Sequence, residues 1–456
     1  MNCRMEYTLI QQTPIIHFQH DQKGATLRAT EVKPKLDKFI VNKLGGKDNV
    51  PKNWFVSDTK ALNYKLRIVT TGEPRRSKMI EAEIECYRTK QQNADKKTNK
   101  QLKNKRNEEI NSMYFGNMVS GKGNEYEENV RNLYKETVFY EGKEQIKLDV
   151  VCFIEELRKE IEKYIGEFFF VNNFGTRQSK GFGGFVAIKK GEEHKATDPI
   201  KTLSEQGYRF FYAEVKGDTS YTAMLNHAKN VYAVMKGGYN HSKFDYNSQY
   251  IKGFIQRKFI DDRFSKDVGS DKAFIKTNMR TLEAETHREG YGSFIFVRAL
   301  LGLADYYEFR DNVRKGRVDI YSLGDKTFDV ERFRSPITIK IIGNKLIFLF
   351  GSFDKICNKV FYFSPNGISK NAEFDKKTYN EKKTYIENNC SDINPSIFKK
   401  IVTPEKFDDE DIMFFINNFS KYFIENSNSL ASYKDKTISC SSKLTIVIPP
   451  YLRREI

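Results

Sequence analysis

The stretch Phe174–Phe185 reads FGTRQSKGFGGF. Gly175, Gly181, Gly183 and Gly184 give a backbone that turns sharply and lets a ligand come close. Arg177 and Lys180 add positive charge, Ser179 and the backbone N–H groups add donors, and Phe182 offers an apolar ring. That mixture suits a polyanion with exposed bases better than a small neutral metabolite. The glycines alone fit an ordinary turn equally well, because short glycine patterns are weakly specific.

The flanks decide how the loop is held. Ile154, Leu157, Ile161 and Ile165 recur at helical spacing before it, and Phe185–Ile188 reads as a buried strand after it. Towards the N-terminus, Tyr7–Phe18 reads as a strand, and Leu62–Thr70 and Lys78–Tyr87 read as a strand pair. Residues 88–106 carry eight Lys or Arg against Asp95 alone, with no apolar face. This predicts a polar insertion that builds no core, either an RNA-touching arm or a solvated loop. Beyond the loop, Gly207–Val215 predicts a strand, followed by a helix with Ala223, His227, Val231 and Val234 on one face. His227 is then a packing residue. Ile295–Leu303 shows helical spacing, and Ile337–Ile342 and Leu346–Phe350 flank Gly343-Asn344 as a hairpin. Lys376–Tyr385 is polar. A helix is then predicted with Asp408 and Asp409 in its first turn and Ile412, Phe415, Ile416, Phe419 and Phe423 inward, and Leu444–Ile448 is a last strand.

A loop of the form G-x-R-x-S-[KR]-G-F-G between helix and strand resembles the signature of the RAMP superfamily, the CRISPR-associated RNA-binding proteins. Other segments follow in the family's order. They are Thr13-Pro14, Gly24-Ala25-Thr26-Leu27-Arg28, Lys33-Pro34-Lys35, Phe115-Gly116, Leu301-Gly302-Leu303 and Arg334-Ser335-Pro336-Ile337. This set is similar to the large head subunits of the type III-B (Cmr) effector. It departs from them at Leu36–Ile40, where the family has an Arg-Trp cluster. The resemblance implies an α+β fold of tandem ferredoxin-like (RRM-type) domains with helical and loop insertions. The expected layout is a first domain over 1–192, a second, degenerate one over 193–340, and a C-terminal extension over 341–456 packed on the second. It further implies RNA contacts at Arg28, Lys33, Lys35, Gly175, Arg177, Ser179, Lys180, Gly181, Phe182 and Gly183. Guide RNA, target RNA and neighbouring effector subunits are the implied partners.

Composition agrees with such partners. Lys and Arg number 77 against 60 acids, a formal charge of +17, and a basic surface attracts nucleic acid by releasing counterions. The wealth of Lys, Asn, Ile and Phe is also what an AT-biased genome gives any protein. The six cysteines stand far apart without C-x-x-C or zinc spacing. With no apolar run of transmembrane length and no signal peptide, a cytoplasmic protein with reduced thiols, no metal and no cofactor is expected.

No phosphate-binding P-loop, G-x-S-x-G elbow or H-E-x-x-H occurs. The expected function is non-catalytic holding of guide RNA or the guide–target duplex in a CRISPR effector that serves antiviral defence. The alternative is a metal-independent RAMP endoribonuclease that processes CRISPR RNA, with His17 and His20 as acid and base. Asp21 falls where RAMP subunits that cut target RNA place an Asp. Glu31 and Asp37 read as surface residues rather than metal ligands.

Overall fold

Strand Arg4–Gln11 alternates Met5, Tyr7 and Leu9 inward with more exposed neighbours, so one face is committed to a core. In the computed structural model it is an inner strand of a four-stranded sheet. The spatial order is Lys65–Thr70, Ile146–Val151, Arg4–Gln11, Phe185–Lys189, and all pairings are antiparallel, with Tyr7 opposite both Leu148 and Lys189. The structure describes residues 3–16, 27–57, 59, 61–71, 124–125, 128, 137–138, 146–192, 198–239, 251–278, 291–303, 306–310, 315–322, 335–366, 381–382, 384, 399–431 and 444–447. Expectations for Lys78–Tyr87, 88–106, Phe115-Gly116, Gly24–Thr26, Arg334 and most of 376–385 lie outside the described residues, as do His17, His20 and Asp21.

Two helices cover this sheet. Ala29–Lys43 buries Val32, Leu36 and Ile40, four residues apart. Glu155–Val171 buries Leu157, Ile161, Ile165, Phe168 and Phe169, and both helices share one core with the strands. Along the chain the elements run strand, helix, strand, strand, helix, strand. The first strand ends earlier than the expected Tyr7–Phe18: it stops at Gln11 and resumes only as Ile15–Ile16. Pro14 has no N–H to give a ladder, and Thr13 is turned to another task.

The described chain forms two compact units, each discontinuous in sequence. One comprises Met1–Lys229, Thr338–Leu349 and Cys440–Tyr451; the other comprises Asn230–Ile337, Phe350–Ser439 and Leu452–Ile456. A second four-stranded sheet is ordered Ile337–Ile342, Lys345–Phe350, Phe210–Val215, Leu444–Val447. Its hairpin turns at Gly343, whose φ is +56°, and Phe211 stacks on Phe348 at 4.7 Å. Leu225 and Ala228 of helix Tyr221–Lys236 are buried, while His227 is half-buried.

The other unit holds a six-stranded sheet ordered Val268–Ser270, Ser293–Ile295, Lys399–Val402, Val360–Asn366, Lys315–Ser322, Tyr306–Arg310. Ile295–Leu303 is not the expected helix. It is the end of one strand followed by a single 3₁₀ turn, Arg298–Leu301, closed by Gly302 at φ +107°. Phe296, Val297, Ala299, Leu300 and Leu301 are all buried, and an apolar run buried on every side carries no periodicity to separate helix from strand. Helix Asp409–Ala431 buries Ile412, Phe415, Ile416, Phe419 and Phe423, the face expected from sequence. Among the described residues no helix is long and apolar enough to cross a membrane.

Candidate nucleic-acid interface

The loop Asn172–Gly184 lies wholly within the first unit and leaves the C-terminus of helix Glu155–Val171. Gly175, Gly181 and Gly183 have φ of +77°, +92° and +68°, and Arg177 joins them at +54°. Gly183 is the tightest of these. A Cβ there would stand 1.9 Å from the Phe174 carbonyl oxygen, so only glycine fits the crossing of the two loop arms. The Phe174 N–H donates to Gly183 O at 2.9 Å across that crossing.

Three distant segments fix this shape. Thr13, wholly buried, donates its hydroxyl to Gly181 O (2.7 Å) and accepts from Gly184 N–H (2.8 Å). Gly183 N–H donates to Pro14 O at 2.8 Å. The Thr-Pro pair and the glycine-rich loop, read as separate motifs in the sequence, are one structure. From helix Ala29–Lys43, Glu31 accepts the Gly175 N–H at 2.7 Å. The Lys35 ammonium donates to Glu31, Asn173 O and Gln178 Oε1 and lies over the Phe174 ring at 4.8 Å. The third support is strand Ile337–Ile342, where Ile339 N–H donates to Ser179 O at 3.1 Å and Lys180 forms a parallel bridge with Ile339.

What remains open is the turn from Thr176 to Lys180. Among the described residues the N–H groups of Thr176, Arg177, Gln178 and Ser179 donate to no protein acceptor, and Thr176 Oγ1 has no hydrogen-bond partner. Arg177 is half-exposed and Lys180 exposed, and neither pairs with a carboxylate among the described residues. Partial burial pushes the Arg177 guanidinium down to about 10. The Lys180 ammonium is also lowered, by partial desolvation first and then by the charge of Arg177. Lys180 is thus crowded by the loop and still reachable from solvent, and the exposure of its head is what matters for a ligand. Successive backbone N–H groups around a residue with left-handed backbone, next to two uncompensated cations, form a concavity suited to an anion.

Other expected contacts have different places. Phe182 does not offer its ring to bases: it is wholly buried, as are Phe174 and Phe185, because an aromatic this close to the core gains more by leaving water. Lys33 is turned away, bonded to Asp37 (2.9 Å) and Leu62 O (2.9 Å) and lying over Tyr64 at 4.2 Å. Lys35 commits its three donors to building the loop. Arg28 stands half-exposed at the start of helix Ala29–Lys43. Asp37 is buried, not on the surface as expected, and accepts the Leu62 N–H as well as Lys33. Sequence reading missed Asn173 and Lys340. A single lysine inside ITIKII, at a position where the strand should be apolar, was the signal available for the second.

The family models that match this chain place it in the RAMP superfamily. Residues 2–239 match the Cmr1 N-terminal domain model and residues 250–438 the Cmr1 C-terminal domain model, and the chain belongs to the Cmr1 family, that of the type III-B CRISPR head subunit. The chain is similar to the crystal structure of Cmr1 from Pyrococcus furiosus in its apo form. Identity is 11%, with 76% of this chain and 88% of that chain covered at a TM-score of 0.36. No curated protein matches it.

Proposed function

We propose that this chain holds RNA without cutting it, as a subunit of a type III-B effector, with guide RNA or the guide–target duplex seated by its phosphates on Thr176–Lys180. The observation that carries this reading is the open turn. Arg177 and Lys180 project from a loop braced by three segments, with no carboxylate partner among the described residues and with unused N–H groups beside them. A pre-formed loop loses little freedom on binding, and backbone donors with cations recognise phosphate and not base sequence. Neighbouring effector subunits and target RNA are the further partners proposed.

The fold reading that goes with this is a tandem of ferredoxin-like halves. The first sheet has the chain order strand–helix–strand–strand–helix–strand and the spatial order second, third, first, fourth. The second sheet repeats that spatial order with Phe210–Val215 as its first strand and Leu444–Val447 as its fourth. Helices Tyr221–Lys236 and Asp409–Ala431 fall at the matching places in the chain.

The test is a salt series. Single-stranded RNA binding is measured for the parent and for the Arg177→Ala, Lys180→Ala double variant. Loss of two phosphate contacts should lower the log–log salt slope by up to about two. The same RNA should stay intact with and without Mg²⁺. An unchanged slope and affinity would remove the loop from the interface. Cleavage that is lost in His17→Ala or His20→Ala would replace this reading with the endoribonuclease.

A further inference from the structure

Lys340 is wholly buried in the otherwise apolar strand Ile337–Ile342. Its ammonium donates to Asn172 O at 2.7 Å and to Asn173 Oδ1 at 2.9 Å. No carboxylate pairs with it among the described residues, and burial holds its pKa well below the usual lysine range. Burying an amine without a counter-charge is costly, so the place it occupies is informative.

That place is the junction of helix and loop. Asn172 closes helix Glu155–Val171, whose last turn contains no basic residue. Helix C-termini leave carbonyls unsatisfied and carry partial negative charge. Lys340 supplies the missing cation from a strand 168 residues further along. Its second bond has a sharper consequence. An ammonium only donates, so the oxygen of the Asn173 amide must face it, and the NH₂ must face the other way. The Asn173 Nδ2 donates to Gln178 O at 2.7 Å and to Ile339 O at 2.9 Å. Gln178 follows Arg177 in the open turn, so the orientation of one amide is passed to the turn that carries both uncompensated cations.

We propose that Lys340 is a positioning residue: by fixing the Asn173 amide it holds the turn Thr176–Lys180 in its phosphate-binding shape, so that the second sheet sets the geometry of the loop on the first. This rests on the reading of the turn as an RNA site.

The test uses the full chain and Lys340→Met, which keeps the length and apolar stem and removes the donors. Hydrogen exchange of the loop amides and binding of a fluorescently labelled single-stranded RNA are measured in the parent and in the Arg177→Ala, Lys180→Ala background. Exchange at Gly181, Gly183 and Gly184 should quicken about tenfold. RNA affinity should fall about tenfold in the parent and no further in the double-variant background, since residues acting through one contact are not additive. Lys340→Gln keeps an amide donor and should fall between; if the methionine variant does not fold, it decides the question with the same readouts. Parent-like loop exchange, or equal loss of affinity in both backgrounds, overturns the proposal. If Arg177→Ala with Lys180→Ala binds RNA like the parent, the RNA reading falls and the positioning role with it. Unchanged exchange alone sinks only the role of Lys340.

Discussion

Replacing Thr13 by valine keeps the shape of the side chain and removes one oxygen. That oxygen joins two parts of the backbone 168 and 171 residues away: it donates to Gly181 O at 2.7 Å and accepts from Gly184 N–H at 2.8 Å, with the side chain fully out of solvent. Valine cannot replace either bond, and water has no access to do so. A buried backbone group left unpaired costs about 1–3 kcal/mol, so Thr13→Val should destabilise the first unit by about 2–4 kcal/mol. Thr13→Ser keeps the hydroxyl and loses one buried methyl group, which is about 1 kcal/mol. Urea denaturation followed by tryptophan fluorescence gives the measurement, because Trp54 is the sole tryptophan and lies buried in the first unit's core. With a slope of about 2–3 kcal/mol per M, the valine midpoint should fall by about 1 M and the serine midpoint by less than half of that. Exchange at the Gly184 amide should rise in the valine variant alone. If valine and serine unfold together, or valine stays within about 0.5 kcal/mol of the parent, the hydroxyl is not what ties the Thr-Pro segment to the loop.

Gly183→Ala should disrupt the loop or prevent folding, because its Cβ would meet the Phe174 carbonyl at 1.9 Å; Gly191→Ala, with φ +83° and nothing within 4 Å, should cost only about 1 kcal/mol of backbone strain. Comparable melting temperatures for the two would show that the crossing is not tight. Arg177→Gly and Arg177→Ala remove the same charge, but only glycine suits φ +54°, so the glycine variant should be the more stable by about 1 kcal/mol while RNA affinity drops equally in both. A larger affinity loss for alanine would mean that the backbone, and not the guanidinium, makes the contact. Asp408 caps helix Asp409–Ala431, accepting from Glu410 N–H and Asp411 N–H and pairing with Lys406 at 2.9 Å. Lys406 and these bonds hold its carboxyl at about 2, below the usual value near 4. A carboxyl lowered on folding adds stability above its unfolded pKa and loses it as pH falls through the folded one, so helix stability should decline between about pH 4 and pH 2. Asp408→Asn should flatten that decline in a circular-dichroism titration; an identical slope in the two proteins would assign the acid sensitivity to other carboxylates.

The local parts of this protein were legible because local physics makes them. The inward face from Ile412 to Phe423 follows a 3.6-residue period, and the structure buries all five named side chains. Gly343-Asn344 between two apolar runs announced its hairpin. The loop was visible as a concentration of glycine and charge. Its supports were not, because Thr13, Glu31, Lys35 and Lys340 reach it across 138 to 171 residues. For the same reason Lys33 and Lys35 read as phosphate contacts. A lysine on a helix surface looks free until the chain that folds back over it is known, and here Asp37, Leu62 O, Asn173 O and Gln178 take up its donors. Phe182 shows the opposite limit, since nothing in a glycine-rich context tells whether an aromatic ring points at solvent or at the core.

Domain limits were hard to read for a topological reason. The second sheet draws strands from Phe210–Val215, Ile337–Phe350 and Leu444–Val447, so Phe210–Val215 is separated from both strands it pairs with by more than a hundred residues of chain. The intervening residues, 237–336 and 351–408, enter at connections and leave every strand of the sheet whole. That is where insertions are tolerated, because a connection carries few ladder bonds and lengthening it costs closure entropy that grows only slowly with length. The limit expected at residue 340 falls inside the strand Ile337–Ile342, at the lysine that reaches back to the glycine-rich loop. The edge that braces the loop is thus supplied by chain remote from it, and the loop's shape is a property of the whole first unit and not of the twelve residues that announce it.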